Sequence, residues 1–196
     1  MKPLKTKYEP YSNVEKLPAG GYVLEIKHVE YKNNSDKGYN DKIVLAFDIY
    51  EGDFRDHFQR RYDAQTQEDK KWKGNYRLSV PFEDGSEEDN RTGRRFKTVT
   101  NLFEDSNPGY HWNWDEQTLK GKLIGGIFRE KEYNFNGRTG FFTECAALTD
   151  VESIRNETYR PLPTKYLDES KKPAPVTEPD TDWVSVPDGV GDELPF

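Results

Sequence analysis

One cysteine in 196 residues, Cys145, leaves nothing from which to build an internal disulfide framework or a cysteine-ligated zinc site. Histidine is nearly as sparse, and His28, His57 and His111 are scattered without the close spacing that a metal centre needs. No glycine-rich loop has the form that cradles phosphate, and the acidic run from Asp84 to Asn90 lacks the ligand spacing of a calcium loop. No nucleophile and base stand out as a pair. The chain is therefore read as a protein that is not an enzyme, with no catalytic residue, cofactor or metal. Long apolar runs are missing as well. None approaches the ~18 residues of a membrane span, and the opening MKPLKTKYEP lacks the apolar stretch of a secretory leader. A cytoplasmic protein without a membrane partner is expected.

Aliphatic residues are few too: 33% of the chain is hydrophobic, and aromatics at 14% supply much of that share. Any core must be rich in rings. Charged residues also reach 33%, with a net charge of −7, but the acidity is local. Residues 168–196 carry −6 and five prolines, whereas residues 1–167 carry only −1. So polar and charged a segment buries too little apolar surface to offset its ordering entropy, and 168–196 is read as a disordered acidic tail. Pro3, Pro10 and Pro18 mark residues 1–18 as an irregular lead-in. One folded domain, 19–167, remains.

Within it, the β-branched and aromatic content of Gly21 to Lys32 predicts a strand, with a bulge near Lys27 and His28 where alternation breaks. Lys32 to Asp41 is a polar loop. Lys42 to Tyr50 alternates cleanly and should bury Ile43, Leu45, Phe47 and Ile49. Phe54 to Asp63, which carries Phe58, Arg60, Arg61 and Tyr62, is read as a third strand. Tyr76 to Phe82 is a further candidate for a short strand, and Glu83 to Asn90 an acidic loop. Phe96, Val99, Leu102 and Phe103 fall on one face of a helix over Arg91 to Phe103. A hairpin follows, from Lys122 to Tyr133 and from Gly140 to Leu148, turning at Asn136-Gly137. A short capped helix begins near Asp150. Three strands, a helix-containing insertion and two more strands make an all-β order, that of a five-stranded OB-fold-like barrel. SH3-like barrels and sandwich fragments share that order.

Basic and aromatic residues interleave repeatedly, in FQRRY, KKWKGNYR, GRRF, YHWNW and FREKEYNFNGR. Single-stranded nucleic acid is held by such pairs, because cations track phosphates while flat rings stack on any unpaired base. For a single Tyr or Phe, core packing is the commoner role. The candidate DNA-binding residues are Tyr39, Lys42, Tyr50, Arg60, Arg61, Tyr62, Trp72, Lys73, Arg77, Arg129, Lys131, Tyr133, Phe135 and Arg138. Tyr39 and Trp72 stand out because each lies in a polar stretch with no apolar face to join. Arg60 and Arg61 owe their place to the third strand.

The last five residues, DELPF, on an acidic proline-rich linker, resemble the tail of bacterial single-stranded-DNA-binding proteins. The resemblance implies that Asp192, Glu193, Leu194, Pro195 and Phe196 dock replication, recombination and repair enzymes. Phe196 offers a ring and a free carboxylate to a pocket with a basic lip. A second resemblance covers Leu119 to Arg155, which is similar to the C-terminal part of a family of phage replication-module proteins from Gram-positive hosts. Some of these are regarded as phage single-stranded-DNA-binding proteins. The segment from Ala64 to Gly121 departs from the cellular family as a long insertion. Together these resemblances imply a protein that coats single-stranded DNA without sequence preference in a bacterial host cell, in phage DNA replication, recombination and repair. The alternative is a non-enzymatic inhibitor of a host nucleic-acid enzyme, with the acidic tail as a DNA mimic. Whether the chain forms a homo-oligomer is left open.

Overall fold

A thirteen-residue strand, Gly20–Lys32 (β1), is the spine of the fold: Lys42–Ile49 (β2) pairs along one side of it and Leu123–Phe135 (β4) along the other. Asn75–Ser79 (β3) adds to β2 and Arg138–Thr149 (β5) adds to β4, which gives a five-stranded antiparallel sheet in the order β3-β2-β1-β4-β5. The computed structural model describes residues 16–168 apart from Asn136. The acidic tail beyond Asp168, its docking peptide Asp192 to Phe196 and most of the lead-in lie outside the described residues. Among the described residues three helices complete the order: His57–Asp63 (α1), Glu87–Ser106 (α2) and Val151–Arg155 (α3). Short 3-10 turns span Ser35–Lys37 and Glu116–Leu119.

The bulge expected in β1 is present, as a register shift between Ile26 and His28. Ile43, Leu45, Phe47 and Ile49 are all buried as the alternation required, and on α2 Phe96, Val99 and Phe103 are buried with them. Rings dominate this core. Phe128 meets Tyr22 and Phe47 edge-on and lies nearly parallel to Phe58, at centroid distances of 5.3, 5.9 and 6.4 Å. Leu17, in the stretch read as a lead-in, is buried in the same cluster. A smaller core of Val23, Ile127, Val151 and Ile154 lies elsewhere, with Tyr159 packed on it. Glycine makes that packing possible. A Cβ on Gly21 would come within 2.5 Å of the Tyr159 ring, and one on Gly125 within 2.6 Å of the Asp150 carbonyl.

The third strand is not where the sequence placed it. Phe54 to Asp63 forms a turn and then α1, so Arg60, Arg61 and Tyr62 are helical residues. The cause is Asp48, which is fully buried on β2. Its carboxylate accepts hydrogen bonds from the amides of Ile49, Phe58 and Gln59 at 2.8, 2.9 and 2.9 Å, anchoring the first turn of the helix. His57 and Phe58 are buried in that first turn. Burial pushes the Asp48 carboxyl above the usual carboxylate range, and the three N–H donors pull against it. The place of the third strand is taken by Asn75–Ser79, so the count of five stands.

Part of the acidic loop from Glu83 to Asn90 is likewise helical. Ser86 caps α2 by accepting from the Asp89 amide at 3.1 Å, and Glu87, Glu88 and Asp89 in the first turn complement the helix dipole. The sheet is not closed by hydrogen bonds. Strands β3 and β5 are its edges, and among the described residues no ladder joins them. No helix among the described residues is long and apolar enough to cross a membrane.

Candidate functional site

The two unpaired edges face a common space. Asn75, Tyr76 and Arg77 of β3 line one side of a groove of about 880 Å³, and Phe141 to Cys145 of β5 line the other. The sheet curls enough to bring its edges to one groove, floored by Phe47, Phe58 and Phe128 from the main core. The flanks are cationic. Among the described residues Lys16, Arg61, Lys71, Lys73, Arg77, Arg95 and Arg129 are seven basic residues in the lining, against a single carboxylate, Glu144. That ratio contrasts with the −1 of residues 1–167 taken together.

Each element brings its cation for a local reason. Arg61 points from α1, which exists because Asp48 anchors it. Lys71 and Lys73 come from the extended segment that leads into β3, and Arg77 from the edge strand itself. Arg95 reaches over from α2, and its guanidinium donates to the Tyr76 hydroxyl at 2.8 Å. Burial raises the Tyr76 phenol above its ordinary range, so it stays a neutral hydrogen-bonding partner at neutral pH. Burial also pushes the Cys145 thiol up, so this groove-lining sulfur is protonated and a poor nucleophile. Among the described residues no group of three His, Cys, Asp or Glu is placed to hold a metal ion.

Of the residues read from the sequence, Arg61, Trp72, Lys73, Arg77 and Arg129 come together in the groove. Trp72 is not the free surface ring the polar context implied. It is half-buried against the main core, and its indole N–H donates to the carbonyls of Phe47 and Gly74 at 3.2 and 3.0 Å. Tyr62 lies 5.8 Å away from it, with the Lys70 ammonium 5.5 Å from the Tyr62 ring. Arg60 is exposed on α1 outside the groove lining.

A second group of candidates shares one face of the β4–β5 hairpin. Arg129, Lys131, Tyr133 and Phe135 alternate along β4, and their register partners are Glu144, Phe142, Gly140 and Arg138. This face runs on from the groove, because Arg129, Phe142 and Glu144 line it. Phe135 is 71% exposed at the tip. At the other end of the sheet Lys42 lies on the same face as Arg77, through the pairs Lys42–Ser79 and Val44–Arg77. Tyr39 is 68% exposed, in the loop between β1 and β2. That loop is built around Asp41, which accepts from the Ser35 and Tyr31 hydroxyls, both at 2.6 Å, and from the Asn34 amide at 2.7 Å. Tyr50 is exposed just past β2 and outside the groove lining.

The site also uses residues outside the candidates named from the sequence: Lys71, Tyr76 and Arg95, which lie in the interleaved stretches KKWKGNYR and GRRF, and Lys16, Phe141 and Phe142, which lie in none of them. The signal for the last two was available. Consecutive phenylalanines in a strand point to opposite faces, so on an edge strand both cannot enter one core. Both remain about two-fifths exposed, at 41% and 42%. The YHWNW segment lies elsewhere: Trp112 and Trp114 pack on Phe96 of α2 at 6.0 Å each, with Trp114 left 74% exposed. No protein-family model and no curated protein matches the chain.

Proposed function

We propose that the protein binds single-stranded DNA without base preference, with the open seam between β3 and β5 as the path of the strand. The observation that carries this reading is the groove itself: among the described residues, seven basic residues against one carboxylate in the lining, interleaved with Trp72, Phe141 and Phe142. Cations on the flanks serve phosphates, and rings between them serve bases. The strand order, with α2 between the third and fourth strands, supports an OB-like barrel with one ladder left open. In that architecture nucleic acid crosses the second and third strands and the loops after the first and fourth strands. Lys42 and Arg77 stand on those strands and Tyr39 on the first of those loops, while Phe135 and Arg138 end the strands that flank the second.

The protein then coats single strands during phage replication, recombination and repair in the cytoplasm of a bacterial host. Its C-terminal tip, Asp192 to Phe196, recruits the enzymes that act on them. This part rests on the likeness of DELPF to the tails of bacterial single-stranded-DNA-binding proteins. The test is a titration of fluorescent oligo-dT, with duplex of equal length as the control. Preference for dT, with quenching of tryptophan fluorescence, is expected. Equal or tighter binding of duplex overturns the reading. Deletion of Phe196 should leave dT affinity unchanged while abolishing capture of replication enzymes.

A further inference from the structure

The one carboxylate in the groove lining is fully engaged. Two of the three guanidinium nitrogens of Arg129, Nε and Nη2, donate to Glu144 Oε1 at 3.2 Å, and Lys131 Nζ donates to Oε2 at 3.1 Å. The pair Arg129–Glu144 is directly opposed across the β4–β5 ladder, and Lys131 approaches diagonally, its ammonium also 5.8 Å from the Phe142 ring. All three side chains are about a quarter to a third exposed. They sit where the groove passes onto the aromatic hairpin face.

One oxygen of the anion takes two guanidinium N–H groups and the other takes an ammonium, an arrangement that the two free oxygens of a phosphodiester also offer to the same cations. We infer that Glu144 is a built-in phosphate surrogate: it holds Arg129 and Lys131 in place in the free protein and is displaced from them by a DNA phosphate. The inference rests on the reading of the groove as a DNA path and adds how that path is regulated. With Glu144 present the trio carries one net positive charge. A strand entering here must replace an existing ion pair, so Glu144 sets an upper limit on affinity and helps the strand to leave.

The test is Glu144→Gln in the full chain, titrated with oligo-dT across a salt series beside the wild type. Binding should tighten by about five- to tenfold at low salt, and the dependence of log K on log salt should steepen by about 0.7, one extra neutralised phosphate. The same exchange at Glu51, which pairs with Arg155 outside the groove, should change neither. Unchanged or weaker dT binding by a Glu144→Gln protein that melts like the wild type overturns the inference. If that variant does not fold, the wild type decides. The side-chain NMR signals of Arg129 Nε and Lys131 Nζ should shift as dT is added, and signals that stay fixed through saturable binding refute the exchange. Failure of both proteins to bind dT removes the reading of the groove, and this inference with it.

Discussion

Cations are used differently in two places on the molecule. In one, away from the groove, they sit beside an acid: Arg155 forks onto Glu51 with two contacts of 3.0 Å, Lys27 meets Glu25 at 2.6 Å and Lys32 meets Glu30 at 3.2 Å. Such exposed pairs contribute ~0–1 kcal/mol each and leave little net field. In the groove, Lys16 pairs with Glu130 at 2.6 Å, Lys71 with Asp69 at 3.4 Å and Arg129 with Glu144, but Arg61, Lys73 and Arg77 have no ion-pair partner among the described residues. The net charge of the chain hides this contrast, because it is a property of where charges stand. A groove with unanswered cations attracts an anion, whereas a surface of neutralised pairs does not.

The largest effect expected is on the floor shared by groove and core. Phe47→Ala should cost ~3–5 kcal/mol of stability by emptying a fully buried site, seen as a large drop in Tm. Trp72→Ala should act on both sides of the comparison. It removes a stacking ring, worth ~1–3 kcal/mol of dT affinity, and should also lower Tm, because its indole bridges Phe47 and Gly74. An unchanged Tm would show that the ring is more independent of the core than its hydrogen bonds imply. Next comes the paired test of the two uses of arginine. Arg77→Ala should reduce the salt slope of dT binding by about 0.7 without moving Tm, while Arg155→Ala should leave dT binding alone.

The smallest effect concerns the loop that carries Tyr39. Hydrogen bonds from Ser35, Tyr31 and the Asn34 amide hold the Asp41 carboxyl down at about 2. Because its value in the fold lies below the ordinary carboxylate value of about 4, the contribution is complete above pH ~4 and drains away as pH falls through 2. An acid titration of the Ser35 amide signal should show this window, and Asp41→Asn should abolish it.

Much of the fold was legible in the sequence where period and burial agree. The alternation of Ile43, Leu45, Phe47 and Ile49, the broken alternation at Lys27 and His28, and the pairing of β4 with β5 as a hairpin needed no tertiary information. Phe54 to Asp63 did need it. Seven residues of mixed polarity are decided by what they pack on, and Asp48, polar in an alternating strand, gave no sign that its carboxylate would anchor a helix. The site was legible in kind rather than in membership. Interleaved cations and rings announced a groove, but Arg61 and Arg60 are separated by which way a helix turns. Lys16 and Arg95 join only because the chain folds back over the seam.

The claim at the centre of this account is that unanswered groove cations supply the affinity for single strands. It is tested most directly by oligo-dT titrations of the wild type and of the triple variant Arg61→Ala/Lys73→Ala/Arg77→Ala over a salt series. The account predicts a variant that melts like the wild type, binds dT far more weakly at low salt and has a salt slope smaller by about 2, from three lost phosphate contacts. An unchanged affinity and slope in a folded triple variant would contradict it.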